Sequence, residues 1–368
     1  MKDPNTYKLL TPGPLTTTLS VREAMLVDRC TWDADYKAMT EEIRAGILEL
    51  AHAGADYTTV LMQGSGTFGV ESVLTSIPSK SDKVLVLVNG AYSERMLKIL
   101  GTAGIPFDRL DFPWDEVPDA EAVEEYLATH PEITIVSTVH SETTTGILND
   151  IARVAKVVKA AGRLMVVDAM SSFGGVDIDV PGLGIDFLIS SANKCIEGVP
   201  GFSFIIAKRA ELEKARGRAR SLSLDLVAQW DTMEKDGGKW RFTSPTHVVA
   251  AFAEALREMK AEGGIPARGA RYLRSNRALR RGMEALGFRP YVKEALQGPI
   301  ITTFLYPEGK RIDFHDMYAF LKSRGYVIYP GKLTEKETFR LGNIGEIHED
   351  DVDRILAIFR EYMEKHHA

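Results

Sequence analysis

Cysteine is almost missing from this chain. Its 368 residues include two, Cys30 and Cys195, far apart in sequence. Two thiols make no disulfide framework and no zinc cluster. No apolar run approaches a membrane span, and the opening MKDPNTYKLLTPGPLTTT has no apolar signal core. A reduced, cytoplasmic setting is therefore expected. Basic charge is not in excess either. Lys plus Arg total 45 against 51 Asp plus Glu, a net charge of -6. That mild acidity argues against nucleic acid or an anionic membrane as the main partner. Internal repeats and low-complexity segments are also absent. What is present is an ordinary globular composition. Hydrophobic residues make up 45%, too many for disorder, and the length suffices for a large domain plus a smaller one.

Short runs of Val, Ile, Leu and Phe recur at Thr58–Gln63, Lys83–Val88 and Ile133–Val139. LMVV and DFLIS follow within Arg163–Gly201, then Gly201–Ala207. Runs this short and continuous read as buried strands. Helical stretches are expected at Tyr36–Ala53, Phe68 to about Ile77, Ser93–Thr102 and Ile151–Ala161. Strand and helix alternate from about residue 58 to 208, which predicts an α/β fold with a mostly parallel sheet flanked by helices. Residues 208–238 are charged and irregular, with Arg216, Arg218 and Arg220 read as a solvated face. Two long helices follow, His247–Glu262 and about Pro266–Leu286, with Thr243, Ser244 and Thr246 as candidate caps of the first. The tail changes grammar. Strand Ile300–Tyr306, helix Phe314–Ser323, strands YVIY and TFRLGNIG and a helix from Asp350 predict a small α+β domain. The expected organisation is an arm (1–20), a large domain (21–265), a connecting helix (266–286) and a small C-terminal domain (287–368).

The chemistry concentrates at strand ends. LMVV runs into Asp168, and DFLIS leads to Lys194. Open α/β sheets bind ligands beyond the carboxyl ends of their strands, so an acid and a base reach one rim. Pyridoxal phosphate asks for that pair: a lysine amine to bond its aldehyde and an acid against its ring nitrogen. Gly64-Ser65-Gly66-Thr67 joins a strand to a helix, an arrangement that cradles anions but that an ordinary capping turn also shares. It is no Walker loop, since no Lys follows the second Gly. Tyr92, after the Lys83–Val88 strand, suits core packing or a plate under a flat cofactor equally. His140-Ser141-Glu142-Thr143-Thr144-Thr145-Gly146 closes another strand with hydroxyl donors, or with a turn that satisfies its own backbone. His140 reads as a supporting residue, because Lys194 already supplies a proton shuttle. Arg340, among apolar strand neighbours, needs an anion, either a structural carboxylate or a substrate.

Taken together, Asp168, SSANK with Lys194, GSGT, NGAY, HSETTTG and Arg340 resemble the fold-type I pyridoxal-phosphate aminotransferases. The resemblance is to the class-V branch, which includes serine–pyruvate and alanine–glyoxylate aminotransferases. LLTPGPLTTT, HSETTTGILNDI and SSANKCIEGVPGFSF look most like 2-aminoethylphosphonate–pyruvate aminotransferases. That likeness implies transfer of the amino group of 2-aminoethylphosphonate to pyruvate, giving phosphonoacetaldehyde and L-alanine. It implies Lys194 bonded to the cofactor, Asp168 at its ring nitrogen and Tyr92 stacked on the ring. Ser65, Gly66 and Thr67 would hold its phosphate, Thr143 would lie near its ring oxygen, and Thr243 would reach the phosphate of a second subunit's cofactor. Arg340 would grip the substrate's acidic group. A homodimer with sites at the interface, and no metal, is the family expectation. Tyr92 where serine–pyruvate relatives often carry Trp, and Asn193 where they tend to carry Gln, point to the phosphonate group. The alternative substrates are those of serine–pyruvate or alanine–glyoxylate enzymes. A cysteine desulfurase would need a late catalytic Cys, which neither Cys30 nor Cys195 provides. A plain nucleotide binder would leave Asp168 and Lys194 without purpose, although Gly64, Gly66 and Gly69 match G-x-G-x-x-G.

Overall fold

The computed structural model describes residues 5–333 and 336–366. A seven-stranded sheet organises the larger part. Its order is Tyr57–Gln63, Phe202–Lys208, Phe187–Ser191, Leu164–Asp168, Ile133–Val139, Lys83–Val88 and Phe107–Asp111. Every strand but one runs the same way. Phe202–Lys208 is antiparallel to both of its neighbours. The carboxyl ends of the other six therefore lie along one rim, where Asp168 and the loop carrying Lys194 emerge.

The strands are apolar throughout because helices cover both faces. Val84, Leu85, Val86, Leu87 and Val88 all belong to the buried core. The helix Ile151–Ala160 shows how a covering element is specified. Asp150 caps it by accepting from the Arg153 N–H at 3.1 Å. Ile151, Val154, Ala155 and Val158 form its buried stripe, each apolar side chain contributing about 1.5–3 kcal/mol for the larger ones. Gly162, with φ +70°, turns the chain out of it. A charge at Val158 would break this packing.

A second core gathers Leu10, Leu279, Met283, Phe288, Phe304, Phe339 and Phe359. It lies on a four-stranded sheet ordered Arg289–Pro290, Ile301–Leu305, Thr338–Gly342 and Tyr329–Pro330. The N-terminal arm joins this part. Lys8–Leu9 pairs in parallel with Tyr326–Val327, and Leu10 is fully buried.

Some sequence expectations shift. The stretch 208–238 is not irregular: it holds helices Arg209–Lys214 and Leu226–Lys235. The second buries Trp230 and Met233 and is capped by Asp225, which accepts from Ala228 N–H at 2.9 Å. Arg216 does face solvent, paired with Glu213 and Asp231. None of the candidate caps before Thr246–Glu262 caps it. Pro245 stands at the cap position, and the Ser244 hydroxyl is bonded to that of Tyr36. The segment read as one strand, YVIY, is two short ones on different sheets. Two helices begin earlier than expected, at Gly66 and at Ala91, so Thr67 and Tyr92 sit in first helical turns and not in loops.

Candidate active site

Ser65, Gly66, Thr67, Tyr92, Asp168 and Lys194 line one cavity of about 200 Å³. It lies at the strand-end rim. The strand Tyr57–Gln63 leads into the Ser65–Thr67 turn. Ser65 is the N-cap of helix Gly66–Ser76, and its side chain makes no capping hydrogen bond. First-turn N–H groups have no carbonyl behind them within the helix, so this end is electropositive. Gly66 leaves room there for the Met170 side chain, which a Cβ would displace, its sulfur standing 2.2 Å away. Arg95 adds a cation. Its Nη1 donates to Thr67 Oγ1 at 2.9 Å, and its guanidinium lies 4.9 Å from the Tyr92 ring centroid.

Asp168 is buried, and one carboxylate oxygen accepts from the Met170 N–H at 2.9 Å. Burial pushes its pKa up to about 6, with the Met170 hydrogen bond and the Arg95 and Lys194 charges working against the rise. Lys194 extends into the cavity and donates from Nζ to the Pro12 carbonyl at 2.6 Å. Its packed surroundings hold the ammonium below the ordinary lysine range. Cys195, next in sequence, is sealed away, and burial raises its thiol to about 12. It is inert as a nucleophile.

Tyr92 is the hub of the opposite wall. Burial acts to raise its pKa, but a hydrogen bond with Thr143 and the charges of Lys194 and Lys332 outweigh it and lower the hydroxyl. Glu142 fixes the backbone beneath: its carboxylate accepts from the N–H of Tyr92 at 3.1 Å, the N–H of Thr144 at 3.1 Å and the Thr144 hydroxyl at 2.7 Å. Burial raises the Glu142 pKa despite these bonds. His140 is buried, its Nδ1 finds no partner among the described residues, and burial lowers its pKa to about 4. It is a neutral ring at neutral pH.

Thr143 and Arg340 stand behind this wall. Arg340 donates Nη1 to the Thr143 carbonyl at 3.0 Å and Nε to the Pro330 carbonyl at 2.9 Å. It is buried, and among the described residues its side-chain hydrogen bonds go to backbone carbonyls and not to a carboxylate. Thr243 is exposed, beside the exposed Phe242, and is not among the residues that line the cavity. Sequence reasoning missed Arg95 and Lys332. Arg95 lies one helical turn after Tyr92 and so shares its face, a spacing signal that was available.

The family model for class-V aminotransferases matches residues 28–346. The chain belongs to the class-V aminotransferases. Among its relatives, a 2-aminoethylphosphonate–pyruvate transaminase of Syntrophobacter fumaroxidans is 53% identical over 98% of this chain and 97% of its own. One of Phocaeicola vulgatus, bearing the same name, is 54% identical over 96% and 98%. The crystal structure of an alanine–glyoxylate aminotransferase from Nostoc sp. superimposes with a TM-score of 0.89 at 25% identity, over 99% of this chain and 96% of that one. Among the described residues of this aminotransferase, no helix is long and apolar enough to cross a membrane, and no His, Cys, Asp and Glu cluster is fit to hold a metal.

Proposed function

We propose that this chain is a pyridoxal-phosphate-dependent transaminase that moves the amino group of 2-aminoethylphosphonate to pyruvate, yielding phosphonoacetaldehyde and L-alanine. The observation that carries the chemistry is the single cavity shared by Asp168, Lys194 and an uncapped helix N-terminus. That donor set fits the cofactor. The first turn at Ser65, Gly66 and Thr67, reinforced by Arg95, suits a phosphate. The Asp168 carboxyl would hold the proton of the ring nitrogen, and Lys194 would anchor the aldehyde carbon. Tyr92 and Thr143 would bound the ring. The substrate choice is supported by relatives more than half identical over nearly the whole chain, whereas the alanine–glyoxylate structure is 25% identical.

Pyridoxal phosphate, when bound, supplies an aldehyde that takes up an amine and a ring that accepts electrons from the amine's carbon. The chain's residues do the rest. Lys194 Nζ, its pKa lowered by burial, is neutral more readily than a free lysine and can take a proton from that carbon and return one nearby. Asp168 keeps positive charge on the ring side of the cavity, since a carboxylate favours the protonated form of a neighbouring nitrogen. Arg340 presents a buried planar fork suited to carboxylate and phosphonate alike.

The chain is read as an arm (1–20), a large unit (21–265), a connecting helix (266–286) and a small unit (287–368), working as a cytoplasmic homodimer. Exposed Phe68 and Phe242, which lie together beside Gly64 at the start of the Ser65–Thr67 turn, support pairing there, with Thr243 turned toward the second subunit. Light scattering on the purified protein tests the dimer. The reaction is tested by supplying 2-aminoethylphosphonate and pyruvate to the cofactor-loaded protein and measuring phosphonoacetaldehyde and alanine. Turnover with alanine and glyoxylate, or serine and pyruvate, and none with the phosphonate would replace this reading by its alternative.

A further inference from the structure

Two cations flank one tyrosine at the edge of the cavity. Lys332 Nζ lies 3.1 Å from the Tyr92 hydroxyl, to which it donates, and 4.3 Å from the centre of that ring. Arg340 stands behind the same tyrosine, its Nη1 donating to the carbonyl of Thr143 at 3.0 Å, and Tyr92 acts on it electrostatically. The two are linked through the backbone as well. Arg340 Nε holds the Pro330 carbonyl, two residues before Lys332, so the loop that delivers Lys332 starts from the Arg340 anchor. Among the described residues neither cation has a carboxylate in ion-pair contact. Glu142, the acid whose charge Arg340 feels, spends its oxygens on the Tyr92 and Thr144 groups. Like charges gathered about one side chain repel, and a buried cation left unpaired is costly. An anion placed between them removes both penalties.

The arrangement also says which anion. A planar guanidinium matches the two oxygens of a carboxylate in one plane. A phosphonate has a third oxygen out of that plane and, like a phosphate monoester, carries close to two charges at neutral pH. Arg340 alone leaves that third oxygen and second charge unmet. An ammonium, a compact point charge with three rotatable donors, supplies what is missing. We propose that Lys332 is a specificity-determining residue which, beside Arg340, completes a two-cation site for the phosphonate of the amino donor and contributes less to the carboxylate of the acceptor. The inference rests on the transaminase reading above and goes beyond it by separating the two substrates.

The test compares wild type with Lys332→Met and Lys332→Arg as cofactor-loaded protein. Each half-reaction is followed separately through the visible absorption of the lysine-bound cofactor, with 2-aminoethylphosphonate in one and L-alanine in the other. Calorimetric titration with methylphosphonate measures binding without turnover. For Lys332→Met, kcat/KM for the phosphonate is expected to fall at least about tenfold more than for alanine, mostly through KM, and methylphosphonate binding to weaken by a similar factor, about one charge-assisted hydrogen bond. Lys332→Arg should recover most of both. Equal losses in the two half-reactions, or no loss of methylphosphonate binding, overturn the role of Lys332 while leaving the transaminase reading intact. Wild type that turns over alanine and not the phosphonate overturns the reading itself.

Discussion

Lys194 reaches back 182 positions to the N-terminal arm, where its Nζ is held 2.6 Å from the carbonyl of Pro12. The arm is clipped at Lys8–Leu9 to the strand Tyr326–Val327 and then turns at Thr11–Pro14 over the cavity. The lysine thus has a partner in a sequence that reads as a mere turn. A carbonyl can only accept, so the amine needs one of its hydrogens for Pro12 and keeps its lone pair for chemistry.

Gly13 is the residue that permits this approach. Its φ is +111°, and a Cβ there would stand 2.7 Å from Lys194 Cδ, 2.8 Å from Nζ and 3.0 Å from the Asn193 carbonyl. The lysine end is flexible enough to yield, but yielding moves the reactive nitrogen. Gly13→Ala should therefore cost about 1–2 kcal/mol of stability from the strained backbone and a disproportionate 10²-fold or so in kcat. Urea titration and steady-state kinetics on one preparation measure both. A variant with normal kcat would detach the arm from the chemistry.

Lys194→Ala should lose the visible absorption of the lysine-bound cofactor and nearly all turnover. Dialysis should then strip cofactor more readily, since only the phosphate turn, Tyr92 and Asp168 would retain it. Spectra before and after dialysis decide this. Persistence of the band would assign the bond to another amine.

Asp168 and His140 titrate against each other in cofactor-free protein. Burial raises Asp168 from 3.8 to about 6. The folded state then holds its proton where the unfolded chain has lost it, and stability falls as pH rises through about 6. His140, lowered from 6.5 to about 4, does the reverse: the unfolded chain takes the proton first, and stability is lost as pH falls from 6.5 toward 4. Asp168→Asn should remove the first slope, gaining roughly 3 kcal/mol near neutral pH and exposing a steeper acid loss below about 6. With cofactor bound the gain should reverse, because the variant lacks a partner for the ring nitrogen, and turnover should drop by several kcal/mol of barrier. Urea titrations across pH, with and without cofactor, read all of these. A variant no more stable than wild type when cofactor-free would mean that the Asp168 carboxyl is not strained by burial.

Asp168, Lys194 and the Ser65–Thr67 turn were legible because their signals are local. A short apolar run that ends in an acid or a base, and a glycine turn between strand and helix, are each contained in a few residues. Arg340 was legible as an unpaired charge in an apolar strand. The direction of Phe202–Lys208 was not, since an all-apolar strand looks the same parallel or antiparallel. Nor was the helix Leu226–Lys235, hidden in a charged stretch although Asp225 offered a cap. Lys332 and the Pro12 contact were beyond reach: both depend on pairings across the chain that no spacing encodes.

The same limit applies to Glu197, three residues past Lys194. It is buried, with φ at +68°, a conformation costly for a residue with a Cβ. Its carboxylate accepts from Arg271 at 2.9 Å, from the Tyr272 hydroxyl and from the Gly345 N–H at 3.0 Å, while Arg268 donates to the carbonyls of Cys195 and Ile196 at 3.1 Å. The turn beyond Lys194 is thus pinned to the helix Gly264–Ala285 and to the Gly345 loop by charge, against its own backbone preference. Glu197→Ala loses the charge and keeps the strain; Glu197→Gly loses both. The alanine variant should be destabilised by about 3–5 kcal/mol, and the glycine variant by about 1 kcal/mol less. Glu197→Gln keeps acceptors for Tyr272 and Gly345 and should fall between alanine and wild type. Urea midpoints of the three variants rank them. Alanine as stable as glycine would mean that position 197 stores no backbone strain, and all three equal to wild type would mean that the arginines do not hold the lysine loop.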